Sequence, residues 1–148
     1  MSQLSSLKEI RQFFAADRFA TEVTGAEIRL AEPGRSVCAL TLTPRHLNAA
    51  GTPQGGAIFT LADFAFAVAA NGYTEKITIS LQHDITYLAP AKGKILLAEA
   101  RRVKDGRTAG FYTVDVTDEL GTHVACMTVN GFVVGKRKKA TPYLDKIS

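Results

Sequence analysis

The stretch His46–Asn71, HLNAAGTPQGGAIFTLADFAFAVAAN, decides how the rest of this 148-residue chain is read. It opens as a loop rich in Gly, Pro and Asn. At the pair Gly55-Gly56 it turns into a long apolar run. Between Arg45 and Glu75 the one acidic or basic side chain, with histidine counted as neutral, is Asp63. Apolar residues on every side of the helical wheel predict a helix buried all round. A carboxylate in the middle of such a helix is costly to bury without a partner, a wet cleft or a chemical task. Asp63 alone is compatible with a structural carboxylate; its spacing to Gly55 points to chemistry.

Outward from this stretch, the pattern predicts strands on both sides. Leu7, Ile10, Phe13 and Phe14 fall at helical spacing, which places a short N-terminal helix over residues 5–16, capped by Ser5 or Ser6. Residues 21–32 and 35–43 read as two strands around the turn Pro33-Gly34, and Pro44 ends the second. Gly72 stands where a helix stop is expected. Residues 77–89 alternate cleanly, with Ile77, Ile79, Leu81, His83, Ile85 and Tyr87 on one face and Thr78, Ser80, Gln82, Asp84 and Thr86 on the other. Pro90–Gly93 is a turn, and 94–104 and 107–117 flank Asp105-Gly106, a two-residue hairpin signal. A last strand, 122–134, follows the turn Glu119–Gly121. The expected fold is α+β: a curved antiparallel sheet, its last four strands joined as hairpins, wrapped around one long central helix. One domain over residues 1–135 and a basic tail over 136–148 complete the organisation.

Bulk properties narrow the class. The net charge of +4 equals the charge of the run Lys136-Arg137-Lys138-Lys139, so the body of the chain is neutral and nucleic acid is a poor partner. Two cysteines, Cys38 and Cys126, lie in apolar strand-like sequence. They make no disulfide framework, which favours a reducing cytoplasm. The N-terminus lacks the apolar core of a signal peptide. The helix after Gly55 is short for a membrane span and carries Asp63 at its middle. No two histidines stand at metal-ligand spacing with a carboxylate, so no metal and no separate cofactor is expected.

The spacing His46-x-Asn48-x-x-Gly51-x-x-Gln54-Gly55-Gly56, followed by Leu61-x-Asp63 on the helix, resembles the hotdog-fold acyl-CoA thioesterases. The resemblance is to the branch named for phenylacetate degradation (PaaI-like), within the 4-hydroxybenzoyl-CoA thioesterase superfamily. Ser80, Ile85, Thr86, Tyr87 and Pro90 match a second motif of that family, and the likeness covers about residues 20–134. It implies hydrolysis of an aryl- or medium-chain acyl-CoA in a homo-oligomer, a dimer of dimers, with sites across a subunit interface. Physical reasoning agrees with this implication. Thioester hydrolysis places negative charge on the carbonyl oxygen, and a helix N-terminus offers free N–H groups and the positive dipole end. Gly55 N–H is thus the expected oxyanion donor, and Gly56 allows close approach. Asp63 lies about 12 Å further along the axis, too far to share one carbonyl with Gly55 of the same helix. The distance closes if Asp63 comes from a second subunit, as nucleophile or general base.

Asn48 and Ser80 are expected to orient the thioester, the carboxylate or the attacking water. Gln54 stands where many family members carry His; its amide donates a hydrogen bond but does not titrate. Tyr87 joins the substrate-binding set. Arg102, Lys104 and Arg107, with Arg101, surround the Asp105-Gly106 hairpin and are candidates for the CoA phosphates. Phe59, Phe64, Phe66 and Tyr73 suggest an apolar acyl pocket. His46 and His83 read as structural histidines and His123 as a surface one. Two rivals remain: a non-catalytic binder of acyl-CoA or acyl carrier, and a hotdog dehydratase. The dehydratase wants a His acid/base paired with a carboxylate, and no His stands beside Gly55.

Overall fold

In the computed structural model, which describes residues 4–136, the apolar run forms a 17-residue helix, Gly55–Asn71 (here α2). Most of its surface is enclosed: Leu61, Ala62, Ala65 and Val68 are fully buried, and Phe64 and Phe66 nearly so. Gly56, Phe59, Thr60, Asp63 and Ala67 form a partly exposed stripe, so the helix is not buried all round as its composition predicts. Gly72 ends it with right-handed backbone (φ −66°), not the left-handed turn common at C-terminal glycines. The glycine is needed there for space, because a Cβ would stand 2.7 Å from the Val68 carbonyl oxygen. The N-terminal helix α1, Leu7–Phe14, uses both predicted serines. Ser6 Oγ accepts from Glu9 N–H, while the backbone and hydroxyl of Ser5 donate to the Glu9 carboxylate.

Six strands wrap α2: β1 Glu27–Glu32, β2 Arg35–Thr41, β3 Lys76–Tyr87, β4 Ile95–Asp105, β5 Ala109–Asp118 and β6 His123–Lys136. Their order is β1-β2-β4-β5-β6-β3, antiparallel throughout. The inner face presents Leu40, Leu96, Ala98, Val114 and Val129 to the helix, all buried. The expected α+β hotdog architecture, a curved sheet around one central helix, is the one observed. Residues 137–148, most of the predicted basic tail, lie outside the described residues.

Four local expectations are corrected. Residues 21–32 are not one strand: Phe19–Thr24 is a π-helical turn, ended by Gly25 at φ 94°. The turn holds because Asp17 Oδ1 accepts from Ala20 N–H and its carbonyl from the Thr21 hydroxyl. The Asp105-Gly106 connection is not a two-residue hairpin. Gly106, Arg107 and Thr108 all lie in the loop, closed by Gly106 N–H donating to Ala109 O. Nor do β3 and β4 form a hairpin. Both sides of β4 are taken, by β2 and β5, which leaves β3 at the sheet edge beside β6. Two carboxylates from the β5–β6 turn anchor this crossing. Asp118 accepts from the N–H groups of Lys92 and Gly93, and Glu119 from those of Lys94 and Ile95.

The fourth correction concerns β3 itself. Ser80 pairs with Gly131 and Gln82 with Asn130, so Leu81 is an extra residue, a β-bulge. A bulge shifts the alternation by one. Ile79 and Leu81 therefore face outward, 45% and 66% exposed, while Ser80 and His83 lie on one inner face. The single apolar face read from the sequence is in fact split between the two sides of the sheet.

Candidate active site

Strand β3 runs alongside α2 in the opposite direction and touches it at three heights. The Tyr87 hydroxyl donates to Gly55 O at 2.8 Å. His83 Nε2 meets Asp63 Oδ1 at 2.8 Å. Asn71 binds both backbone groups of Thr78, at 3.0 and 2.7 Å. The spacing is commensurate. Eight helical residues rise about 12 Å and four strand residues about 13 Å. From His83 to Thr78 the strand uses five residues for the same height, and the Leu81 bulge absorbs the fifth. The bulge also returns the strand to its inward face, so His83 and Thr78 both reach the helix.

At the N-terminus of α2, Gln54 is the capping residue: its Oε1 accepts from Ala57 N–H at 3.2 Å. A Cβ at Gly56 would stand 2.7 Å from that amide oxygen, so a side chain there would displace the Gln54 cap. A Cβ at Gly55 would stand 3.1 Å from the Tyr87 ring. The glycine pair thus admits Gln54 and Tyr87 to the helix end. Among the described residues nothing accepts from the N–H groups of Gly55 and Gly56, so both keep the free donors of a helix start. A cleft of about 380 Å³ opens beside them, lined by Asn48, Gly55, Ile58, Tyr87 and Pro90 among others. A second, of about 490 Å³, lies on the other side of the helix start, between Gln54, Gly56 and Phe59 and the exposed Phe19 and Val23.

Asn48 borders the first cleft, but its side chain is engaged within its own loop. Oδ1 accepts from Ala50 N–H and Thr52 N–H, and Nδ2 donates to Thr52 Oγ1. His46 is a satisfied structural histidine, as expected: Thr43 N–H donates to Nδ1, and Nε2 bonds Thr24 O. His123 is at the surface, beside Asp115.

The histidine that sequence reasoning set aside is His83. Phe59, Asp63 and Phe66 stand at i, i+4 and i+7 on α2 and close on its imidazole together. The Phe59 and Phe66 rings meet it edge-on, with centroids 5.0 and 5.9 Å away. The side chain is 15% exposed and that of Asp63 43%. The carboxylate oxygen is at ion-pair distance without the alignment of a hydrogen bond, and Nε2 has no other partner among the described residues. Burial pushes the Asp63 carboxyl above its ordinary value. The adjacent His83 acts against this, and Asp17 adds a smaller push upward. The signal available in sequence was the stripe itself: a carboxylate flanked at helical spacing by aromatics, opposite a strand with one inward histidine.

Other expected site residues are not gathered here. Ser80 lies on the same face of β3 as His83, and its hydroxyl has no partner among the described residues. Phe64 and Phe66 are core residues, 1% and 3% exposed; of the predicted acyl-pocket phenylalanines Phe59 borders the cleft at the start of α2, while Phe64 reaches a separate pocket beside Arg11 and Phe14. The basic hairpin sits at the far end of the sheet. Gly110 pairs with Gly131 opposite Ser80, seven residues from Tyr87. Within one chain, Arg102, Lys104 and Arg107 are therefore remote from Gly55. Arg102 is drawn to Asp105 at 3.6 Å and Arg101 to Glu99. Among the described residues no three His, Cys, Asp or Glu side chains could hold a metal together, and no helix is long and apolar enough to cross a membrane.

Comparison with known proteins gives one consistent picture. Residues 50–125 match the family model described as the thioesterase superfamily. The chain is 34% identical to human acyl-coenzyme A thioesterase 13 over 123 residues, 80% of this chain and 86% of that one. The structure of the Escherichia coli PaaI protein from the phenylacetic acid degradation operon superposes with a TM-score of 0.77 at 25% identity. It covers 88% of this chain and 98% of its own. The Streptococcus mutans protein smu.793, solved bound to acetyl CoA, superposes at 0.71 with 35% identity, over 76% of this chain and 91% of its own.

Proposed function

The chain belongs to the thioesterase superfamily, as a hotdog-fold thioester hydrolase of the PaaI-like branch, and on that premise we propose that it hydrolyses an aryl- or medium-chain acyl-CoA to free acid and CoA. The observation that carries this reading is the pair of free N–H groups at Gly55 and Gly56, opening a helix whose one carboxylate is Asp63. An N–H held at the developing oxyanion is worth about 3 kcal/mol. Asp63 is the base or the nucleophile. As base it takes a proton from water while the oxygen bonds to the carbonyl carbon; the C–S bond then breaks and the thiolate leaves with that proton. As nucleophile it bonds to the carbonyl carbon itself while the C–S bond breaks and the thiolate leaves; water then attacks the aspartyl carbonyl of the resulting anhydride, which releases the acid, restores the Asp63 carboxylate and gives the thiolate its proton. Its raised pKa suits the first role, since a base works best near the operating pH. Label in the Asp63 carboxylate after a single turnover in heavy-oxygen water establishes the nucleophilic route, because the general-base route puts the oxygen of water into the product acid alone.

Gly55 and Asp63 of one helix remain about 12 Å apart, so the site is assembled between two copies. The open edge of β3, twelve residues long, supports this. An exposed strand edge is a template for a second strand, and β3-to-β3 pairing sets the two α2 helices antiparallel. The partner's basic hairpin then stands nearer the Gly55 end, where it meets the CoA phosphates. The acyl group enters the cleft between Phe59, Phe19 and Val23. Asn48 and Gln54 position the loop and helix end, and Ser80 orients the carboxylate or water. Cys38 and Cys126 are free thiols, in keeping with a cytoplasmic enzyme.

The test is thiol release from a panel of aryl and alkyl acyl-CoAs, with Asp63→Ala beside the wild type. The expected loss in the variant is about a hundredfold or more, the range of general-base effects; a loss under tenfold removes Asp63 from the mechanism. One observation favours a second reading, a non-catalytic acyl-CoA binder: the Asn48 side chain is already engaged within its loop. Wild-type silence across the panel, with tight binding of the esters by calorimetry, supports that reading instead.

A further inference from the structure

We infer that His83 is a positioning residue for Asp63, holding one carboxylate oxygen so that the other oxygen faces the reaction. The inference rests on the reading of Asp63 as base or nucleophile. The geometry carries it. A structural histidine in a core satisfies its ring nitrogens on backbone groups, as His46 does with Thr43 and Thr24. His83 Nε2 instead stands 2.8 Å from Asp63 Oδ1 and has no other partner, although buried. Leaving a buried donor with one imperfect contact costs stability, and a filled aromatic site would avoid that cost. Two phenylalanines of α2 pin the ring edge-on in this place. The Leu81 bulge is what turns it inward. Three separate features of the fold thus deliver one imidazole to one carboxylate, while Asp63 Oδ2 is left without a partner among the described residues.

The groups that bear on the charge of Asp63 are few. Helix α2 carries no other acidic or basic residue. From β3 comes His83, and from the segment after α1 comes Asp17, which opposes ionisation. On the inner face of β5 the titratable group is Tyr112, whose hydroxyl is bound to Arg102. His83 is therefore the one neighbour that favours the carboxylate. Removing it raises the Asp63 carboxyl further, so the ionised form fills at higher pH and the acid limb of the rate profile moves toward alkaline pH.

The experiment is the pH dependence of kcat and KM between pH 5 and 9 for acyl-CoA hydrolysis by wild type, His83→Leu, His83→Gln and Asp63→Asn. In His83→Leu the acid limb is expected to rise by about one pH unit, with the plateau kcat above it falling about tenfold as the carboxylate loses its orientation and KM changing less than about threefold. His83→Gln keeps a hydrogen-bond donor in a different shape, so it falls between wild type and His83→Leu. A limb that stays within about 0.2 unit of wild type in a folded His83 variant, with kcat within twofold, overturns the proposal. If the leucine variant does not fold, the glutamine variant decides on the same criterion. A purely packing role would lower Tm and leave the limb in place. Asp63→Asn retaining more than a tenth of the wild-type rate overturns the underlying reading of Asp63 instead, whatever the histidine variants do.

Discussion

At the scale of single residues, Gly55 and Asp118 show how one group serves two neighbours. Gly55 leaves its N–H free while its carbonyl anchors Tyr87. Gly55→Ala puts a methyl 3.1 Å from the Tyr87 ring, so the expected result is loss of kcat out of proportion to stability. Measured Tm should change by no more than a few degrees, while kcat falls more than about tenfold, because an oxyanion donor out of line loses most of its effect. Asp118 is 2% exposed. Removal from water pushes its carboxyl up, but N–H groups of Lys92, Thr122 and Gly93 outweigh that and hold it well below the usual carboxylate range. A depressed native pKa stabilises the fold above the unfolded value of about 3.9 and is lost as pH falls toward the native one. Asp118→Asn is accordingly expected to lower Tm at pH 7, with the gap to wild type narrowing below about pH 4. A gap independent of pH would remove the ionic contribution.

At the scale of elements, the informative strand is β3. Its alternation looked like one continuous apolar face, and the bulge at Leu81 divides it. Deleting Leu81 is expected to swing either His83 or Thr78 to the outer face, because the strand period is two. The deletion variant should lose activity and tryptic resistance together. Retained activity would show that the bulge has no part in placing His83. The helix was the most legible element: Gly55, Gly56 and Gly72 marked its ends, and its observed limits are Gly55–Asn71. The π-helical turn over Phe19–Thr24 was not legible, since alternation in TEVTGAEI imitates a strand until Gly25 turns left-handed. Crossing of the β3–β4 connection was equally hidden, because Pro90–Gly93 reads the same in a hairpin as in a longer crossing.

At the scale of the whole molecule, the prediction concerns how sites are shared between copies. If each site takes Gly55 from one subunit and Asp63 from the other, two inactive variants complement. Co-expressed Gly55→Val and Asp63→Ala chains form mixed dimers in which one site is intact. A random mixture is then expected to recover about a quarter of wild-type activity, half the dimers being mixed and half of their sites whole. No recovery, in a sample shown by mass to contain mixed dimers, would place both residues in one subunit's site.

The sequence by itself determined the helix, its glycine-opened start, the carboxylate it carries and the hotdog class. These are local facts, written in periodicity, in backbone freedom at two glycines and in the motif spacing of a family. Only the tertiary structure decided what faces that carboxylate. Contact between Asp63 and His83 depends on strand order, on a bulge that resets which side a residue faces, and on matched rises of helix and strand. None of these is a property of any one segment. They arise when the sixteen residues of loop and strand from Gly72 to Tyr87 are laid beside the helix, and a shift of a single residue there exchanges the inner face for the outer one.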